Sequence, residues 1–175
     1  MSQSHLPLTA DDLVHLCIDR LEDIEEDAFP EKETMLAFAA DLAMRYGASQ
    51  KVHDELIDLL LKEIPVSGFD YALSLAPRAG RETKDKLFAV MLGPFQRRDA
   101  ERAIGYANHV LERELSLEEV KKIAHWFHTC GSSKEFAGQR RLLDYVALVY
   151  PARVKEFEEY FRKEQEFWDG PGSLI

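Results

Sequence analysis

Apolar residues recur at helical spacing along most of the chain, most clearly between Met35 and Ile64. The first apolar stripe ends at Gly47, a residue type that closes helices in a left-handed conformation. Ser49 follows and can cap a second helix, which Pro65 ends. The pattern predicts two antiparallel helices joined by a tight turn. The positions predicted to be buried in this hairpin are Met35, Leu36, Phe38, Ala39, Leu42, Ala43, Tyr46, Val52, Leu56, Leu59, Leu60 and Ile64.

A similar pattern returns 84 positions later, where 130–136 matches 46–52 in character and aligns Gly131 with Gly47. One interpretation is an internal duplication, which would give a short α-solenoid of stacked helix pairs. The other is that capping chemistry of this kind recurs in many unrelated helical hairpins. The sequence leaves both interpretations open.

Capping signals locate further helices. Thr9 is a good N-cap for a first helix that is expected to run out through the acids of 22–27. Ser116 and Glu119 form a capping box, in which each side chain bonds the other residue's backbone N–H. The residues predicted to be buried on the first helix are Leu13, Leu16, Cys17, Ile18, Leu21 and Ile24.

Together these signals predict an all-α fold of about eight or nine helices in successive antiparallel hairpins. The length of 175 residues suits one domain over 1–175, with a loose lead-in at 1–8 and a mobile tail at 170–175. No apolar run has membrane-spanning length, and the first residues do not resemble a secretory signal. Cys17 and Cys130 are expected to be reduced core residues, with a disulfide between them as the alternative. We therefore expect a cytoplasmic protein without a cofactor.

Charge divides the chain unevenly. Residues 1–63 contain 15 Asp and Glu against 5 Lys and Arg, whereas 64–175 contain 17 of each. The whole net charge of −10 therefore lies in the first third of the chain. Such a surface disfavours nucleic acid and anionic lipid and favours a basic protein partner. Plain solubility is the alternative explanation.

The densest acids form the first candidate site, a partner-binding cluster. Acids near the end of a helix oppose its dipole, which indicates that the cluster serves something other than helix stability. A solvated face, docking of a basic partner and a cation site are the three interpretations, although the loop and glycine of a calcium site are missing. The cluster consists of Glu22, Asp23, Glu25, Glu26 and Asp27.

Arginines in the middle of the chain form a second candidate site, for a phosphate, a carboxylate or nucleic acid. Pairing with the acidic first helices of the same or a second molecule is the alternative interpretation. Their excess over neighbouring acids is small and no aromatic residues interleave with them, so nucleic acid is a weak candidate. The residues are Arg78, Arg81, Arg97, Arg98 and Arg102.

A third candidate is a metal site. His125 and His128 are three residues apart on one predicted helix face, and Cys130 could add a thiolate. The chain has no second His or Cys pair at finger spacing. The alternative is that this segment is partly core.

No catalytic motif is present, so the sequence favours a non-enzymatic protein-interaction module. It would bind a basic partner as an adaptor, a chaperone, or an inhibitor that neutralises a toxin or nuclease. A metal-dependent enzyme or sensor and a phosphate- or nucleic-acid-binding protein are the alternatives. The sequence leaves the oligomeric state open.

Overall fold

The computed structural model describes residues 7–93, 100–127 and 134–169, with side chains described for 7–93, 100–125 and 138–163. Within these ranges the protein is all-α, as predicted, and contains no strand. Three short 3-10 turns lie at Arg20–Asp23, Ala76–Arg78 and Pro151–Arg153. The helices are α1 (Ala10–Asp19), α2 (Phe29–Tyr46), α3 (Gln50–Glu63), α4 (Gly68–Leu75), α5 (Arg81–Met91), α6 (Ala100–His109), α7 (Leu117–Phe127), α8 (Lys134–Val149) and α9 (Val154–Asp169).

Contacts within the chain define two compact units, unit 1 at Met1–Leu87 and unit 2 at Phe88–Ile175. The boundary falls inside α5. A single domain over 1–175 and the α-solenoid stay predictions, and the second turn of the proposed duplication lies largely in 128–133, outside the described residues. The tail at 170–175 and most of the N-terminal lead-in also lie outside them.

Unit 1 contains the predicted hairpin. Gly47 ends α2 with a φ of 71°, a left-handed conformation that glycine adopts without strain. Ser49 is the N-cap of α3, and its hydroxyl accepts the Val52 N–H at 3.4 Å. Helix α1 packs on α2, and α4 packs on both α2 and α3. The Asp11 carboxylate accepts the Ser49 N–H at 2.7 Å, which ties the start of α1 to the start of α3.

The buried faces of α1 and α2 differ from the predicted stripes. Phe38, Tyr46 and Leu16 were expected inside, yet each is more than half exposed. Val14 is buried on α1 instead, three residues before Cys17, whose burial was predicted. The fully buried residues of α2 are centred on alanines, whose small side chains allow neighbouring helices to approach closely. They are Leu36, Ala39, Ala40 and Ala43.

Unit 2 is organised around α8, which packs against α6, α7 and α9. The predicted capping box at the start of α7 is confirmed: Ser116 N–H donates to Glu119 at 2.8 Å, and Glu119 N–H donates to the Ser116 hydroxyl at 3.2 Å. Two tyrosines of the α8 region hold the loop between α6 and α7. Tyr145 accepts the Leu115 N–H, and Tyr150 donates to the Leu115 carbonyl. In the described part of the chain, no helix is both long and apolar enough to cross a membrane.

Candidate acidic partner-binding surface

The acidic cluster lies between α1 and α2 rather than along a helix. Helix α1 ends at Asp19, a 3-10 turn follows, and α2 begins at Phe29. Glu22 and Asp23 lie in this 3-10 turn, which continues directly from α1. The expectation that the first helix runs through these acids is therefore wrong for Glu25, Glu26 and Asp27. Asp27 lies just before α2, where negative charge is favoured by the positive end of the helix dipole. The unfavourable interaction with a helix dipole that was predicted for the acids therefore does not apply to Asp27.

All five carboxylates of the cluster are exposed. Among the described residues, only Asp23 has an ion pair, with Arg20 at 3.4 Å. Backbone bonds shape the segment, since Ala28 N–H donates to the Glu25 carbonyl and Phe29 N–H donates to the Asp27 carbonyl. The acids can therefore face solvent without competing for the bonds that hold the loop. We call Glu22, Asp23, Glu25, Glu26 and Asp27 the acidic surface.

A buried lysine anchors this surface to the hairpin. Lys32 donates to the Glu26 carbonyl at 3.2 Å and to the Glu63 carboxylate at 3.1 Å. Lys62 also donates to Glu63, and the hydrogen bonds from Lys62 and then Lys32 lower the pKa of Glu63 below its usual range. The loop backbone is thus held at one point by a charge-assisted bond, which is stronger than a neutral one.

Sequence reasoning missed this lysine, because its partner Glu63 is 31 residues away. One signal was available. Lys32 lies four residues before Leu36, on the same face of α2 as the buried residues that follow. A lysine at a buried helix position requires a partner, since an unpaired buried charge is costly.

The charge imbalance belongs to unit 1. This unit contains 18 Asp and Glu against 9 Lys and Arg, whereas unit 2 contains 14 against 13. Some bases of unit 1 pair with acids far from the acidic surface, as Lys86 does with Asp58 at 2.5 Å and Arg81 with Asp85 at 3.1 Å. The acidic surface therefore keeps most of its negative charge.

Exposed apolar side chains accompany the acids. Leu16 is 53% exposed and lies on one face of α1 between Asp12 and Asp19, which are four residues before it and three after it. Phe29 is 57% exposed and follows Asp27 by two residues. An acidic surface with apolar groups nearby can both attract a basic partner and bury part of its apolar surface.

Two of the arginines in the candidate anion site, Arg78 and Arg81, bond to other groups of unit 1. Arg78 donates to the Met44 carbonyl at 3.1 Å and so satisfies one of the open carbonyls at the end of α2. Arg81 pairs with Asp85, and Arg102 lies exposed on α6. Arg97 and Arg98 lie outside the described residues. An anion site built from all five stays a prediction.

The metal candidate falls mostly outside the described residues as well. His125 is exposed on α7, whereas His128 and Cys130 belong to the segment 128–133. Within the ranges that are described, no group of three or more His, Cys, Asp or Glu is placed to hold a metal ion. Cys17 is a buried free thiol whose pKa is raised by burial.

Comparisons of this chain with models of protein families, with curated proteins and with solved structures found no match.

Proposed function

We propose that unit 1 is a non-enzymatic interaction module whose acidic surface binds a basic protein partner. The observation that carries this proposal is the set of five exposed carboxylates on an anchored backbone, with Arg20 as their single ion-pair partner among the described residues. An adaptor, a chaperone, or an inhibitor that covers the basic site of a toxin or nuclease would each use such a surface. A cytoplasmic location, expected from the sequence, belongs to this proposal.

Charge and apolar contact would contribute differently to binding at the acidic surface. Exposed ion pairs contribute only about 0–1 kcal/mol each, so the acids would mainly steer the partner and select against acidic proteins. Affinity requires buried apolar area, which Phe29, two residues after Asp27, and Leu16 on α1 can supply. The partner expected from these features presents Lys or Arg around an apolar patch.

The proposal is tested by reversing Glu25, Glu26 and Asp27 to Lys and isolating bound proteins from the native cell at about 0.1 M and about 1 M salt. We expect one stoichiometric basic protein on the wild type at the lower salt. Its binding should be weaker at the higher salt, because salt screens exposed charges. It should be at least about tenfold weaker in the variant, because attraction at three positions becomes repulsion.

A matched control reverses three other exposed acids, Glu82, Glu114 and Glu158, and so changes the net charge by the same amount. If this control loses the partner equally, overall charge rather than the acidic surface drives binding. Retention of the partner by the first variant, with helicity unchanged by circular dichroism, would also contradict the proposal.

A further inference from the structure

One face of α2 carries an apolar seam that is partly open to solvent in the described part of unit 1. Phe38 is 54% exposed at its centre, and Met35 and Leu42 on either side are half-buried. Glu31 and Arg45 lie at the two ends, and both are exposed. Glu31, Met35, Phe38, Leu42 and Arg45 are spaced alternately four and three residues apart. This is the spacing by which paired helices contact each other, so all five side chains lie on one face of α2.

The charges of this seam are self-complementary. Glu31 and Arg45 are each seven residues from Phe38, on opposite sides of it. Two copies packed in parallel would place like charges together at both ends. Two copies packed antiparallel, about a two-fold axis near Phe38, would place each Glu31 beside the Arg45 of the other copy. The Arg45 Nε–H donates to the Asp41 carboxylate of the same helix at 2.8 Å, so in the dimer Asp41 and Glu31 of the second copy would share this guanidinium.

We propose that α2 pairs through this seam with α2 of a second copy of the chain, antiparallel and isologous. The apolar centre supplies the attraction, and the end charges select the antiparallel orientation. One helix face is a small contact, so the dimer belongs to the weak class of interfaces, with a Kd on the order of 100 μM. This inference does not depend on the proposed function, because it uses a different surface of unit 1.

The charge of the whole chain opposes self-association. Each copy carries a net charge of −10. At about 0.15 M salt the Debye length is about 8 Å, so repulsion between distant acids is largely screened while adjacent pairs still attract. The association is therefore measured by sedimentation equilibrium at this salt, at chain concentrations up to about 1 mM.

The decisive variants exchange the end charges. Glu31→Arg alone or Arg45→Glu alone places like charges together at both ends, and we expect each to weaken dimerisation about tenfold. The double variant should restore the wild-type Kd to within about threefold. Glu31 and Arg45 are about 21 Å apart along one helix. Rescue by the double variant must therefore occur between copies.

Two further comparisons show whether dimerisation depends on contacts along the seam or on the net charge of the chain. The single variants shift net charge in opposite directions, so a general charge effect would strengthen association in one and weaken it in the other. Phe38→Ser should abolish dimerisation, whereas Phe29→Ser should not, since Phe29 is equally exposed on α2 but lies off the seam. A wild type that stays monomeric throughout, or a double variant weaker than both single variants, overturns the inference.

Discussion

His53 is a fully buried polar side chain within α3. Its Nδ1 donates to the Ser49 carbonyl at 2.9 Å, because a carbonyl oxygen can only accept. In the neutral imidazole Nε2 is then an acceptor, and among the described residues it has no hydrogen-bond partner. An unsatisfied buried acceptor costs about 1–3 kcal/mol.

We expect His53→Leu to raise the free energy of unfolding by about 1 kcal/mol, since it removes the unsatisfied nitrogen and keeps a similar volume. The Ser49 carbonyl stays satisfied, because the backbone N–H of residue 53 also donates to it, at 3.1 Å. Urea unfolding measures the change. His53→Ala is the control for volume and should lose about 2 kcal/mol through the cavity it leaves. A less stable Leu variant would show that the imidazole is satisfied after all.

At the scale of elements, the end of α6 is closed by a residue poorly suited to its conformation. Glu112 has a φ of 53°, a left-handed value that costs a side chain about 1–2 kcal/mol. The turn is held by the Arg113 N–H, which donates to the Ala107 carbonyl at 3.0 Å. Arg113 then binds Glu119 through two bonds of 2.7 and 2.8 Å, so the turn links α6 to the start of α7.

Glu112→Gly should therefore raise the free energy of unfolding by about 1 kcal/mol, because glycine adopts this conformation without strain. Glu112→Ala removes the same charge but keeps the Cβ, and we expect it to change stability little. Thermal unfolding compares the two. Equal effects of the two substitutions would assign any gain to charge instead of backbone strain.

Helix ends with a capping residue were predictable from sequence, whereas the buried face of a helix was predicted only in part. Gly47, Ser49 and the Ser116–Glu119 box act within a few residues of themselves, so the local sequence contains the whole cause. Burial of Phe38 was predicted wrongly because it depends on which neighbours cover α2. His53 was overlooked as a core residue, although it shares a helical face with Leu56 and Leu60.

For the candidate site too, the local feature was predictable from sequence and the long-range contacts were not. The acids of 22–27 were identified from the sequence, because a charge cluster needs no partner to be visible. Their place in a loop before α2, and the anchor that Lys32 and Glu63 provide, depend on contacts between distant parts of the chain. No local pattern contains such contacts.

At the scale of the whole molecule, acid has two opposing effects on stability. Unit 1 carries a net charge of −9, and partial neutralisation of its exposed acids relieves their mutual repulsion. Carboxylates with a lowered pKa act in the other direction. Glu63 in unit 1 and Glu119 in unit 2 are both of this kind. Burial of Glu119 opposes the shift, but hydrogen bonds from Arg113 and Ser116 outweigh it.

The pKa of Glu63 is lowered from 4.5 by Lys62 and then Lys32, so the folded state favours its charged form. Its contribution to stability is fully present above about pH 4.5 and is lost as the pH falls through the folded value.

Glu63→Gln should thus lower the free energy of unfolding by about 2 kcal/mol near pH 7, because Lys32 loses its charged partner. This difference from the wild type should shrink toward zero at a low pH that lies below the folded pKa of Glu63, because Glu63 itself is then neutral. Glu82→Gln, at an exposed acid, is the control and should show little difference at either pH. Urea unfolding of the wild type and the two variants across this pH range measures the free energy of unfolding. If the difference between Glu63→Gln and the wild type does not change with pH, the charge of Glu63 is not what makes its bond with Lys32 stabilising.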